Sequence, residues 1–278
     1  MTPPDVASPR QRLPAIAALA IPVLAGAGWM ASAGAPAHYP FVNLAALAVM
    51  SGWIAFGRGP HTATSRAILF IACMAFLVSA RLIGPGVEAI GGERVWRWFP
   101  LGPVALNSGL IAIPPLVALA ARDSKSGPFY LLAALAAVYW QPDAAAGFGL
   151  TFAAVGIYHV TRQWLFGLVA ALGFFASLVM AVRGELPPQP FVERVLVDAA
   201  MQSVFLAIAL ALSMAAGFWL TLFAVPLSRH KRFALAGALF GFAIMAVMNS
   251  YPMPLVGYGP SAIIGFGIAL GLYRIPQR

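Results

Sequence analysis

"FYLLAALAAVYWQPDAAAGFGLTFAAVGIYHV", residues 129–160, is apolar almost throughout, apart from the tripeptide Gln141-Pro142-Asp143 at its centre. Read as one helix it is a span of 32 residues, far beyond the thickness of a bilayer. Read as two helices, 128–141 and 144–160, joined by a tight Pro-Asp turn, it crosses the hydrocarbon twice and returns the chain to its starting side. The second reading is adopted, and it sets the count for the rest of the chain.

Working outward with the same length criterion gives ten spans: about 13–33, 40–57, 67–84, 103–121, 128–141, 144–160, 164–182, 196–226, 233–250 and 258–274. The fifth is short and the eighth long. With 61% hydrophobic and only 9% charged residues among 278, against roughly 25% charged in a soluble domain, the chain reads as an all-α, polytopic integral-membrane protein. No polar block is long enough for a separate soluble domain, so residues 1–278 form a single membrane domain with a cytoplasmic tail at 1–12 and an outer loop at 183–195. The first run ends near "ASAGAPA", which looks like a cleavage site, but 13–33 is long enough to span and is read as a retained helix.

The positions of the basic residues test this division independently of hydropathy. With the N-terminus inside, the inner loops hold Arg10, Arg12, Arg58, Arg66, Arg122, Lys125, Arg162, Arg229, Lys231, Arg232, Arg274 and Arg278, 12 of the 17 basic residues. The outer side keeps Arg81, Arg94, Arg97, Arg183 and Arg194 with six of the eight acids, Glu88, Glu93, Asp143, Glu185, Glu193 and Asp198. Both termini are therefore expected in the cytoplasm. The net charge of +9 is a topology signal and not a nucleic-acid footprint. Polar chemistry is expected at the outer face.

Cys73 is the only cysteine and lies in an apolar run, so neither an internal disulfide nor a thiolate metal site is built. His38, His61, His159 and His230 are scattered over both faces, and no metal or other cofactor is expected.

"MPLVGYGPSAIIGFG", residues 253–267, interrupts the last span with prolines and glycines. Irregular backbone at membrane depth must be buried in protein or line a wet cavity, because unpaired backbone groups are costly in hydrocarbon. The segment is therefore either a packing kink or the wall of a groove formed by Tyr258 and Gly259. Asp143 is placed to cap the helix that follows it, or to orient a partner in a cavity. Asp198 sits just inside the eighth run, and its depth decides its role. "RHKR", 229–232, reads as a cytoplasmic stop signal with a weaker case for contact with anionic lipid.

Three separated stretches add a resemblance. "RVWRWFPLGPVALNSGLIAI" (94–113), "QPDAAAGFGL" (141–150) and "MPLVGYGPSAIIGFGIALGL" (253–272) resemble, in order and spacing, the signature regions of the RodA/FtsW/SpoVE family of shape, elongation, division and sporulation proteins. The last keeps Pro254, Tyr258, Gly259 and Ser261 of the family's Leu-Pro-Phe-x-Ser-Tyr-Gly-Gly-Ser signature. The resemblance implies a bacterial cytoplasmic (inner) membrane protein of peptidoglycan biogenesis, a glycosyltransferase that polymerises undecaprenyl-linked disaccharide beside a class B penicillin-binding protein. In such a reaction a base takes the acceptor hydroxyl proton and cations offset charge on the departing diphosphate. Carried onto this sequence, Glu193 lies nearest the catalytic acid, and Arg97, Asp143, Arg194, Tyr258, Gly259 and Ser261 are the expected substrate-binding positions.

Arg94 and Arg97, interleaved with Trp96, Trp98 and Phe99, also suit an interfacial belt. The departures fall at the chemistry. The family's embedded Glu and Lys are replaced by Gly109 and Ala112, and the long outer loop between its seventh and eighth helices is reduced to "RGELPPQPFVER". Two other readings stay open, a catalytically silent scaffold subunit that keeps the fold, and a lipid or solute transporter.

Overall fold

The computed structural model describes residues 8–102 and 104–273. Arg274, Arg278 and most of the expected 1–12 tail lie outside the described residues. After a short 3-10 turn at Pro9–Arg12 come α1 (Leu13–Ser32), α2 (His38–Phe56) and α3 (Ala63–Ile83). Two small antiparallel hairpins follow, β1 (Val87–Glu88) with β2 (Arg94–Val95), and β3 (Trp98–Leu101) with β4 (Val104–Asn107). The rest is helical: α4 (Ser108–Ala120), α5 (Gly127–Trp140), α6 (Ala144–Thr161), α7 (Trp164–Arg183), α8 (Val195–Gln202), α9 (Val204–Phe223), α10 (Arg229–Met248) and α11 (Pro260–Leu270).

Among the described residues seven helices are long and apolar enough to cross a membrane, and the chain is a multi-pass, all-α membrane protein. The 129–160 stretch does divide at Gln141–Asp143, into α5 and α6. Three expected spans are revised. The run 103–121 becomes helical only at Ser108, because 104–107 pairs as a strand with Trp98–Leu101. The long run 196–226 breaks at Ser203, whose extended backbone separates the short α8 from α9. The last run is helical only over Pro260–Leu270. At 1.5 Å per residue, α4 and α11, with 13 and 11 residues, are about 20 and 17 Å long, short of a hydrocarbon core. They do not need that length, since they form a buried central pair and their N-terminal ends stop against β4.

Prolines inside these helices are tolerated by a recurring joint. Pro114 and Pro115 lack the N–H groups that the carbonyls of Leu110 and Ile111 would otherwise accept. Gly265 of α11 lies directly against those two carbonyls, so its Cα hydrogens face the exposed oxygens. In α1, Pro22 frees the carbonyl of Ala18, and Gly217 of α9 comes up to it, a Cβ there falling 2.8 Å from the oxygen. Between α6 and α10 the same economy of side chains gives an antiparallel interlock, in which Gly241 meets the backbone of Phe148, Gly237 that of Phe152, and Gly156 that of Phe233.

Candidate functional site

The segment 249–259, between α10 and α11, carries the break quoted above. Leu255 has φ 67° and Gly259 φ 137°, so the chain is far from helical here. Its freed backbone groups are nonetheless paired. Met253 and Tyr258 donate their N–H groups to the carbonyls of Val192 and Phe191 at 2.9 and 2.7 Å, which staples the segment to the 184–194 loop. Asn43, a fully buried residue of α2, donates Nδ2 to the carbonyl of Gly257 at 2.9 Å and accepts the N–H of Gly259 on Oδ1 at 3.1 Å. One amide thus does the work of a neighbouring strand. Asn43→Leu leaves both backbone groups unpaired, and a fall in stability of about 2–4 kcal/mol is expected from two such losses, read by thermal unfolding in detergent.

Beside this segment runs a groove of about 330 Å³. Tyr258 stacks on Tyr39 with ring centroids 3.6 Å apart and planes 5° from parallel, and His38 meets Tyr258 edge-on at 6.1 Å. Asn107, Ser261 and Trp98 complete the wall, and Ser261 Oγ accepts the Asn107 N–H at 2.9 Å, joining the starts of the two central helices. A Cβ on Gly259 would meet nothing within 4 Å, so this position opens on free space.

Glu193 is 3% exposed, and its Oε2 accepts the N–H of Gln189 at 2.6 Å. It lines a second cavity of about 260 Å³ with Pro85, Leu186 and Pro187. Trp98, Ala105 and Gln189 belong to the walls of both this cavity and the groove, so the two adjoin. Burial pushes the Glu193 carboxyl up to about 6, against the opposing pulls of the Gln189 N–H and the Arg97 charge.

Arg97 is fully buried. Its Nη2 donates to the carbonyls of Pro142 (2.9 Å) and Gly184 and to the Tyr251 hydroxyl (2.9 Å), while Nε lies 3.9 Å from Asp143 Oδ1. Asp143 in turn caps α6 by accepting the Ala146 N–H at 3.2 Å. Burial also raises the Tyr251 hydroxyl to about 12, so it stays protonated. One guanidinium therefore ties together the β2–β3 junction, the α5–α6 turn, the end of α7 and the 249–259 segment.

Of the residues expected at a site, Tyr258, Gly259 and Ser261 share the groove, and Glu193 lies on the adjoining cavity. Arg97 and Asp143 come together as a buried pair that lines neither space. Arg194 is exposed and lines a different hollow with Glu185, Asn249 and Ser250. Asp198 is half-buried in the first turn of α8. Gly109 faces Asp143, and a Cβ there would fall 3.1 Å from Asp143 Oδ2 and 2.9 Å from the Ala146 methyl. Asn43, Tyr39, Gln189 and Tyr251 were missed in the sequence. They are single polar or aromatic residues with no motif around them, and only their partners give them meaning. The four histidines are dispersed, and the described residues hold no group able to bind a metal ion.

No protein-family model and no curated protein sequence matches the chain. Solved structures do. Two crystal structures of the rod shape determining protein RodA from Thermus thermophilus, the second a point mutant, are similar at 17% and 18% identity with TM-scores of 0.62 and 0.66. The likeness covers 93% of both chains in the first case and 95% of both in the second. A structure described as the coordination of polymerization and crosslinking by a peptidoglycan synthase complex is similar at 17% identity, TM-score 0.58, over 92% of this chain and 96% of that one. This chain has the RodA fold.

Proposed function

We propose that the chain is a RodA-like protein of the bacterial cell envelope that binds a lipid-linked sugar at its outer face and transfers glycosyl units between such lipids. It crosses the cytoplasmic membrane ten times with both termini inside, the three short apolar helices counting as crossings. The observation that carries the reading is Glu193, a buried carboxyl on a cavity that adjoins an aromatic groove. Glycosyl transfer requires a base for the acceptor hydroxyl, and a carboxylate with pKa near 6 is ionised at neutral pH yet basic enough to serve. The stacked Tyr39–Tyr258 pair offers a flat apolar wall, Ser261 and Asn107 offer polar edges, and the bare Gly259 leaves room for the ligand. Arg97 and Asp143 act by holding the 184–194 loop that carries Glu193, and Arg194, exposed on the neighbouring hollow, is the cation that would have to reach across to a diphosphate. The partner is a class B penicillin-binding protein, a choice supported by the synthase complex whose fold this chain shares.

A second reading, the silent scaffold, is favoured by two specific observations. Neither Lys nor Arg lines the groove among the described residues, and Gly109 leaves no space for a second carboxyl beside Asp143. The two part on a direct test. Purified protein given undecaprenyl-linked disaccharide and a class B penicillin-binding protein should produce glycan strands separable by size. Glu193→Gln should cut their yield by about 100-fold or more. The reactive form is the carboxylate, and burial moves its protonation upward, so the rate should rise with pH to a plateau above about 6 and fall tenfold per unit below it. Sugar lipid bound without any polymer would leave the scaffold reading standing.

A further inference from the structure

Where the start of α8 meets the end of α10 lies a hollow of about 340 Å³. Met253 belongs to its wall and to that of the groove, so the two share one end of the bundle. Glu185, Arg194, Asn249 and Ser250 supply its polar lining. Glu185 and Arg194 bring opposite charges to one space, yet neither side chain forms an ion pair or a hydrogen bond among the described residues. The two helix ends repeat that polarity. The first N–H groups of α8, those of Val195 and Leu196, have no partner within the helix and leave about half a positive charge beside Arg194. The last carbonyls of α10, those of Val247 and Met248, are the negative counterpart, and no basic residue lies in that turn. Asp198, in the first turn of α8, is outside the lining. Asn249 Oδ1 accepts the Ser250 N–H at 2.7 Å, which leaves Nδ2 as a further donor.

A ligand that suits such a hollow carries both charges itself. A simple anion gains from Arg194 and the α8 N–H groups but faces Glu185 and the α10 carbonyls, and a simple cation meets the reverse. The rest of the wall is apolar, and there Val247 and Met248 are 59% and 65% exposed. α10 is long and apolar enough to cross a membrane, and the hollow sits at its last residue, the level at which hydrocarbon gives way to headgroups.

We propose that this hollow binds a phospholipid whose headgroup joins a phosphate to a primary ammonium. The phosphate meets Arg194 and the α8 N–H groups, the ammonium meets Glu185 and the α10 carbonyls, and the acyl chains run along Val247 and Met248. A primary ammonium has three N–H donors for those oxygens, whereas a quaternary choline has none. The site stands whether or not the chain transfers sugars. A lipid seated here engages Arg194 on its own side, so it competes with a diphosphate for that guanidinium. The test is native mass spectrometry of the full chain in detergent with phosphatidylethanolamine, phosphatidylcholine or phosphatidylglycerol added at equal concentration. Wild type should retain phosphatidylethanolamine about tenfold more than either of the others, the equivalent of one hydrogen bond to a charged group.

Glu185→Gln should lose most of the preference over phosphatidylcholine, because an amide brings no counter-charge to the ammonium. Arg194→Gln should cut the retention of phosphatidylethanolamine about tenfold. Glu185 is half-buried, Arg194 is exposed and neither is paired, so both variants should unfold at the wild-type midpoint without added lipid, which separates lost binding from a folding defect. Phosphoethanolamine, added as competitor, distinguishes the sources. Displacement of the lipid at millimolar phosphoethanolamine supports the headgroup as ligand by itself, and resistance supports headgroup and acyl chains together. Equal retention of the three lipids by wild type, retention led by phosphatidylglycerol, or a preference that both variants keep overturns the proposal. The wild-type comparison decides even where a variant fails to fold.

Discussion

Arg97→Met is expected to lower the stability of the protein by about 3–5 kcal/mol, the cost of removing one partner from a buried ion pair. Methionine keeps much of the bulk of the side chain but leaves Asp143 enclosed with no cation beside it, and takes their donor from the carbonyls of Pro142 and Gly184 and from the Tyr251 hydroxyl. Arg97→Lys should recover only part of the loss, because all three hydrogen bonds run from Nη2 and the lysine chain is one bond too short to place its ammonium there. The midpoint of thermal unfolding in detergent reads the effect, and fluorescence of Trp96 and Trp98, on either side of the substitution, reports whether the cap loosens first. If Arg97→Met, Asp143→Ala is no worse than Arg97→Met alone, the pair acts as a unit. A single substitution that unfolds with wild type would mean that water reaches the guanidinium and that the latch is absent.

Gly265→Val should be at least as damaging, and for a different reason. A Cβ at this position falls on the carbonyl of Leu110 and the backbone of Ile111, and backbone cannot step aside as a side-chain tip can. Overpacking ordinarily costs about 1–3 kcal/mol, and here the obstruction separates the two central helices, so a cost at or above that range is expected. The groove should suffer with the fold, since Pro260 and Ser261 begin the helix that would be displaced. Pulse proteolysis and expression yield read the first effect, and retention of lipid-linked disaccharide reads the second. Gly28→Val is the control, because a Cβ there meets nothing within 4 Å. Equal tolerance of the two substitutions would show that α4 and α11 are not in backbone contact.

Much of the architecture was readable from composition and run length, because lipid imposes a coarse and demanding rule on every crossing segment. The split at Gln141–Asp143 and the capping by Asp143 followed from a proline and an acid placed where a helix must begin. The rule failed where it does not apply. A run such as 103–121 is apolar because it is buried in protein, and burial in protein leaves the choice of strand or helix open. The "GALFG" pattern at 237–241 was a signal for close helix contact that hydropathy alone passes over.

The candidate site was legible only as an inventory. Glu193, Tyr258, Gly259 and Ser261 could be named from motif and position, but that the first adjoins the space shared by the others could not. Arg97 shows the limit most clearly. An arginine between tryptophans at an outer loop reads as a residue facing solvent or ligand, yet three segments distant in sequence close over it.

The sequence by itself determined that this chain lives in a membrane and about how many apolar segments it has, since both depend on local hydropathy. Only the tertiary structure decided which polar groups are latches and which face open space. That division depends on long-range partners, such as Asn43 for Gly257 and Gly184 for Arg97, and no local pattern records a partner 214 or 87 residues away.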